Sequence, residues 1–244
     1  MDPLQYNGIG HRLNDMNTLP GVWILHDILA KRIGTVCGLS VLDLACGTGD
    51  FSRQVIDWGA KRVVGVDISE AMVENARLQA REGDPSEFHI VDCSRPFNMG
   101  KFDLTLGKWL LNYAANKTEL MTMWQNIFHS LKPGGQFVGV IPNPRILQTV
   151  AQGQRYHYEG IIYKILEQVT DRTRIQVTLN IADPVTFYCY IHEPRLHEDC
   201  ATQAGFSNLK WEPLPREYNV KLSLPFFQII TASCPESQTQ VNRT

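Results

Sequence analysis

From Ser40 onward the chain alternates short apolar runs with amphipathic stretches. Ser40–Leu44 (SVLDL) reads as a buried strand, and a Gly-rich turn leads from it into a helix near Asp50–Trp58. Arg62–Asp67 (RVVGVD) predicts a second strand. Ser69, whose hydroxyl can cap backbone N–H groups, opens a helix carrying Met72, Val73 and Ala76 that ends before Gly83. Phe88–Val91, Phe102–Leu106 and Gln136–Ile141 predict three more strands, the last entered through the turn Lys132-Pro133-Gly134-Gly135. Between the last two, Thr118 is expected to cap a helix with Leu120, Met123, Trp124, Ile127, Phe128 and Leu131 on one face. Strands separated by helices of roughly 10–15 residues imply βαβ units, a mainly parallel sheet and helices on both of its faces.

After Pro144 the rhythm changes. Ile161–Val169 reads as helical, and Ile175–Ile181 and Val185–His192 alternate around Ala182-Asp183-Pro184 as an inserted antiparallel hairpin. A helix over Arg195–Ala204, stopped by Gly205, and strands at Leu209–Trp211 and Phe227–Ala232 complete a seven-stranded α/β sheet. With no repeats and no low-complexity linker, residues 1–234 read as one domain. Residues 1–35 are expected to form a helical extension and lid, 145–193 a substrate-side insertion, and 235–244 a disordered polar tail.

Composition narrows the classes. Of 244 residues 43% are hydrophobic and 20% charged, which excludes a collagenous, coiled-coil or wholly disordered chain. With 23 basic against 25 acidic side chains, the chain lacks the basic excess of a protein that grips nucleic acid. The six cysteines include no C-x-x-C pair, so neither a zinc site nor a disulfide framework is expected. Neither a signal peptide nor a membrane span is expected, for want of a basic-then-apolar opening and of a run near the roughly 18 apolar residues of a span. The expectation is a cytoplasmic protein, monomer or homodimer, with no metal, membrane or nucleic-acid partner.

The chemistry concentrates at VLDLACGTGD, residues 41–50, directly after a strand and opening a helix. Small residues there let backbone approach a ligand beyond the carboxyl ends of parallel strands. A nicotinamide site would want G-x-G-x-x-G, whereas here Asp50 stands at the third glycine position. Asp43 inside the loop mouth repels pyrophosphate and suits an ammonium or sulfonium. Asp67, ending the second strand, can accept hydrogen bonds from two ribose hydroxyls, with Ile68 offering an apolar face to a purine. Asp92 ends the third strand, placed for an exocyclic amine. One such aspartate reads as a loop cap; three on successive strands read as a site.

The segments VLDLACGTGDFS, VVGVDIS, HIVDCS, FDLTLGKWLLNYA and LKPGGQFVGV resemble class I S-adenosylmethionine-dependent methyltransferases of the small-molecule type. The flavour is similar to ubiquinone-type enzymes and to the toxoflavin N-methyltransferase-like natural-product group. The resemblance implies a Rossmann-like methyltransferase fold with S-adenosyl-L-methionine as cofactor. It implies that Asp43, Ala45 and Gly47 hold the methionine part and that Asp67, Ile68 and Met72 hold ribose and adenine. Asp92 and Cys93 would hold the adenine edge, with Gly107 near the sulfonium. Such enzymes often open with two tyrosines seven residues apart; here Tyr6 is kept and Leu13 stands at the second position.

Methyl transfer asks mainly for alignment and exclusion of water. A nitrogen nucleophile needs no base, whereas an alcohol or phenol benefits from one. Base candidates by residue type are His192, His157 and His11, and Tyr6 is a second catalytic candidate. Trp109, Asn112, Tyr113 and Asn143 follow strands at the rim and are expected to touch the acceptor. Tyr188 and Tyr190 share a face with His192 and are expected to recognise a small planar, heteroaromatic metabolite. Asn143-Pro144 imitates the Asn-Pro-Pro-aromatic loop of DNA amino-methyltransferases, but that loop belongs after the fourth strand. The rival readings are a methyltransferase-fold cyclase or dehydratase using the cofactor as a scaffold, and a cofactor-binding subunit without catalysis.

Overall fold

A computed structural model describes residues 4–7, 19–148, 153–158, 160–212 and 226–236. His11, Arg12, Leu13 and most of the tail lie outside the described residues. The elements in chain order begin with α1 (Leu4–Asn7), α2 (Pro20–Ile33), β1 (Ser40–Leu44), α3 (Asp50–Asp57), β2 (Arg62–Asp67), α4 (Glu70–Leu78) and β3 (Ser86–Ile90). They continue with β4 (Phe102–Lys108), α5 (Lys117–Ser130) and β5 (Leu131–Pro142). A run of four strands follows: β6 (Arg155–Tyr158), β7 (Ile161–Gln168), β8 (Arg172–Leu179) and β9 (Val185–His192). The last elements are α6 (Pro194–Ala204), β10 (Lys210–Glu212) and β11 (Phe227–Ser233).

The seven-stranded sheet has the order β10-β11-β5-β4-β1-β2-β3. Its first five strands in the chain run parallel, and β11 returns antiparallel beside β5. Alternation along each strand sends side chains to two separate cores. Val41, Val63, Leu104, Leu106 and Val138 pack against Leu25, Ile28 and Leu29 of α2 and Phe51 and Val55 of α3. Leu42, Leu44, Val64, Phe102 and Phe137 pack instead against Leu120, Trp124 and Ile127 of α5 and Cys200 of α6. Burial on both faces explains why these strands are nearly continuous apolar runs. The cap of α5 is Asn116, whose side chain accepts the Glu119 N–H at 2.9 Å while Glu119 accepts the Ala115 N–H, so Thr118 already lies inside the helix.

The insertion departs from expectation. Ile161–Gln168 is a strand, not a helix, and β6-β7-β8-β9 form a four-stranded antiparallel sheet rather than a lone hairpin. Apolar residues at 161, 162, 165 and 166 fit a helical period. The chain instead uses period two, burying Ile161, Tyr163 and Ile165 in the core shared with α2. Strand pairing on both sides of β7 and its β-branched content decide the outcome. No helix among the described residues is long and apolar enough to cross a membrane.

The same alternation sends His192 away from the sheet's apolar core. It is buried between Tyr190 and His197, with the His197 ring centre 5.5 Å away. Burial lowers its pKa from the ordinary 6.5 to about 4, so folding favours the neutral ring. That contribution is complete above pH about 6.5 and is lost as pH falls toward about 4, at a cost of up to about 3 kcal/mol. Denaturant unfolding is expected to show the stability of wild type falling relative to that of His192→Phe as pH drops across that window. A difference between wild type and His192→Phe that stays constant from pH 7 to 4.5 refutes this coupling.

Candidate active site

Two adjacent strand ends build the floor. After β1 the loop turns through Ala45 at φ +59° and Gly47 at +56°, and after β4 the chain turns at Trp109 with φ +65°. Left-handed backbone at non-glycine residues costs on the order of 1 kcal/mol or more and marks an over-determined place in the fold. The loop is held from β2: the Gly47 N–H donates to Asp67 Oδ2 at 2.9 Å, and the Cys46 N–H donates to the Val66 carbonyl at 3.0 Å. Gly49 must be glycine for another reason, since a Cβ there would meet the Phe88 ring at 2.9 Å.

Above these ends opens a cleft enclosing about 1390 Å³ of atom-free space, its open mouth included. On one side Ala45, Gly47, Asp67, Ile68, Met72 and Cys93 line it. On the other, Trp109, Asn112 and Tyr113 meet Tyr163, Phe187 and Cys189 of the four-stranded sheet. Tyr6 of α1 reaches in, its hydroxyl paired with that of Tyr113 and its ring 5.9 Å from Phe187. α1 is anchored at both ends: Ser69 Oγ donates to Asn7 Oδ1 at 2.7 Å, and the Gln5 amide bonds both backbone groups of Tyr188.

Several expected residues stand elsewhere. Tyr188, Tyr190 and His192 do not line the cleft, because their face of β9 points away from it. Tyr188 and Tyr190 lie under Arg174 and Arg172, at 5.3 and 5.9 Å from ring centre to guanidinium. Phe187 and Cys189, on the more apolar face with Val185 and Ile191, turn inward. Asp92 caps its own turn, accepting from Ser94 N and Oγ and pairing with Arg95 at 3.3 Å, while Cys93 lines the cleft in its place. Asn143 lies off the cleft and accepts the Arg145 N–H at 3.0 Å, Gly107 is a buried strand residue, and His157 is exposed on β6. Lys108, His26 and Tyr163 line the cleft without having been singled out from the sequence. The signal for Tyr163 and for the inward face of β9 was strand alternation, whereas nothing in the α2 sequence sets His26 apart.

Buried charge surrounds the loop. Asp43 follows Val41 on the α2/α3 face of β1, fully covered, with its Oδ2 accepting the Ser52 hydroxyl at 2.6 Å. Burial raises its pKa from 3.8 to about 6, only partly opposed by Ser52 and by Lys108 nearby. Burial also pushes Asp67 up, against the backbone N–H groups of Ser69 and Gly47 that its oxygens accept. The hydroxyls of Tyr113 and Tyr163 are held well above the ordinary range by burial, so both remain protonated donors.

A parallel sheet whose loop after β1 and acid after β2 meet in one cleft, with an antiparallel strand beside β5, is the class I methyltransferase fold. Residues 41–135 match the family model of a methyltransferase domain. The chain is 29% identical over 167 residues to the demethylmenaquinone methyltransferase of Lactococcus lactis, covering 64% of each. It therefore spans less than two thirds of that relative's length. Among solved structures, an S-adenosylmethionine-dependent methyltransferase from Clostridium acetobutylicum superposes with a TM-score of 0.62 at 15% identity, covering 96% of this chain and 93% of the other. The sugar N-methyltransferase KedS8 from Streptoalloteichus gives 0.59 at 18% identity, covering 88% and 87%.

A carboxyl whose pKa rises to about 6 on folding disfavours the folded state as pH climbs from 3.8 through 6. Asp43→Asn keeps an acceptor for Ser52 and removes that burden. It is expected to raise ligand-free stability at pH 7.5 by up to about 3 kcal/mol, with the gain fading below pH about 5. Thermal unfolding of both proteins at the two pH values checks this, and a pH-independent difference overturns it.

Proposed function

We propose that the protein is an S-adenosyl-L-methionine-dependent methyltransferase that methylates a nitrogen of a small, uncharged, planar metabolite. The observation that carries this reading is that one cleft joins two chemically different walls at the ends of β1 and β4. One holds the Asp67 carboxylate beside Gly47; the other is apolar with tyrosyl hydroxyls. When bound, the cofactor supplies an electrophilic methyl group on a sulfonium.

The residues fit such a group. A Cβ built on Gly47 would project into open space with no atom within 4 Å, so the loop leaves backbone bare to the cleft. Asp67 spends one lone pair of each oxygen on Gly47 and Ser69, and the others can accept ribose hydroxyls. Ile68, Met72 and Cys93 offer an apolar slot beside it for a purine.

The acceptor wall argues for nitrogen. Among the described lining residues, the half formed by Trp109, Tyr113, Tyr163, Phe187 and Cys189 contains no histidine and no carboxylate. Tyr113 and Tyr163 stay protonated and can hydrogen-bond and orient a ligand but not act as a base. Asn112 is 2% exposed, and its Oδ1 has no hydrogen-bond partner among the described residues. An orphaned buried acceptor facing a cleft asks for an N–H or O–H from a ligand. A nitrogen with an available lone pair attacks without a base, and its N–H can satisfy Asn112.

Asp67→Ala is expected to weaken binding of S-adenosylhomocysteine on the order of 10- to 100-fold, since charge-assisted hydrogen bonds to two hydroxyls are removed. Gly47→Val should abolish binding, both from the side chain in the cleft and from its left-handed backbone. Unchanged calorimetric affinity in Asp67→Ala refutes the cofactor assignment. For the acceptor half, Asn112→Leu should leave that affinity within about twofold and lower turnover of the true acceptor about 10-fold or more. The acceptor is found by incubating the protein and a metabolite extract with methyl-labelled cofactor and identifying what takes up label. A labelled carbon or oxygen centre would overturn the nitrogen assignment.

A further inference from the structure

The four-stranded sheet has a second face, opposite the one that lines the cleft. Alternation places on it Arg155 of β6, Lys164 of β7, Arg174 and Gln176 of β8, and Tyr188 and Tyr190 of β9. Arg155, Lys164, Gln176 and Tyr188 form one row, each directly opposite the next. In the row beside it Glu167 stands opposite Arg174, and Arg174 opposite Tyr190. Like charges facing each other across a strand pair destabilise it, so Arg155 against Lys164 is a cost that a neutral residue would remove. Among the described residues Arg155, Lys164 and Arg174 form no ion pair, not even Arg174 with Glu167. Arg172, which opens β8, pairs with Asp171 just before it.

We propose that this face docks an acidic segment of a partner protein, whose Asp and Glu carboxylates pair with Arg155, Lys164 and Arg174. Charge complementarity carries the assignment: the chain as a whole is net −2, yet this face gathers three cations without a counter-ion. The Arg174 guanidinium lies over the Tyr188 ring at 5.3 Å, and that of Arg172 over Tyr190 at 5.9 Å. A guanidinium held by its flat side keeps its N–H edge for a carboxylate, which it meets through two parallel bonds. Bases of a nucleic acid need bare rings to stack on, and here arginines cover both tyrosines. A membrane surface needs apolar side chains to take up, and the strands of this face expose no large aliphatic one. The strands span roughly 15 Å across and 25 Å along, on the order of 400 Å². That is half of the roughly 800 Å² each partner buries in a stable complex, so the contact is transient and salt-sensitive. It also bears on the cleft, because the Gln5 amide fastens α1 to both backbone groups of Tyr188.

The test uses the full chain and a short fluorescent poly-L-glutamate peptide, with binding read by anisotropy. In about 20 mM salt the dissociation constant is expected on the order of 10–100 μM, weakening about tenfold or more by about 200 mM. Changing Arg155, Lys164 and Arg174 together to Glu should weaken binding at least about tenfold at the lower salt. A control triple, Lys61→Glu with Lys117→Glu and Lys210→Glu, makes the same change in net charge at exposed lysines off this face. It should stay within about threefold of wild type. Cooperative thermal unfolding certifies that each variant folds, and if the first triple fails that check, the same positions changed to Gln are read against a Gln control. Wild type that does not bind the peptide overturns the proposal, as do equal losses in the two triples, which would mark a response to net charge alone. Poly-uridylate and phosphatidylserine vesicles are titrated in parallel. Tighter binding of either one, abolished by the face triple, would give the face to another class of partner and overturn the proposal as well. None of these outcomes touches the methyl-transfer reading, which stands or falls on its own tests.

Discussion

The bond from the Gly47 N–H to Asp67 Oδ2 ties the loop leaving β1 to the end of β2, and the cleft depends on it. A loop of small residues has little side-chain packing to hold it, so its shape must come from backbone bonds. Three supply it: Gly47 to Asp67, Cys46 to the Val66 carbonyl, and Gly49 back to the Cys46 carbonyl. The other Asp67 oxygen accepts from Ser69, whose hydroxyl caps α4 and donates to Asn7 of α1. One carboxylate thus positions the loop, the start of α4 and, through Ser69, the helix that crosses the cleft mouth. That geometry leaves the same carboxylate on the cleft wall.

Such an arrangement carries an electrostatic burden. Asp43, Asp67 and Lys108 stand within neighbouring strand ends, all short of water, and burial disfavours the charge of each. A protein selected for stability alone would replace them with apolar residues of similar volume. Their partial mutual compensation, with Lys108 favouring the ionised Asp43, keeps the cost tolerable and leaves a polarised corner in an otherwise apolar core. Strained backbone at Ala45 and Trp109 adds to that cost at the same place.

The parallel half of the fold was legible because its strands are bounded by strong punctuation. Ser69 as a cap, the Gly-rich turn after Leu44 and the acid ending β2 are local signals, and the structure places those elements within a few residues of the expected spans. The insertion was less legible for a physical reason. In Ile161–Gln168 apolar residues fall in adjacent pairs, which satisfies a helical and an extended period alike, and only pairing with β6 and β8 chooses between them. The two faces of β9 were equally visible, but weighting the tyrosines over the apolar side chose the outward one. The face that carries Val185, Phe187, Cys189 and Ile191 is the one a core attracts, and the cleft is the open end of that core. Polar aromatic identity suggested recognition, whereas the residues that burial places on the cleft are less conspicuous.

With β9 turned this way, the chemistry available to the proposed acceptor changes. His192 is removed from consideration as a base: it is buried against His197 and its neutral form is enforced by the same burial. His26 lies on the cleft, but beside Lys108 and α3, on the side away from Tyr163 and Phe187. What remains around the proposed acceptor is a set of groups that orient rather than transfer protons: two protonated tyrosines, the Asn112 amide and a rim of aromatic and aliphatic carbon. Catalysis on such a wall comes from alignment and from keeping water out, which is sufficient only for a nucleophile that already owns its lone pair. In the proposed reaction, the geometry of one strand face therefore bears directly on the kind of atom that would be methylated.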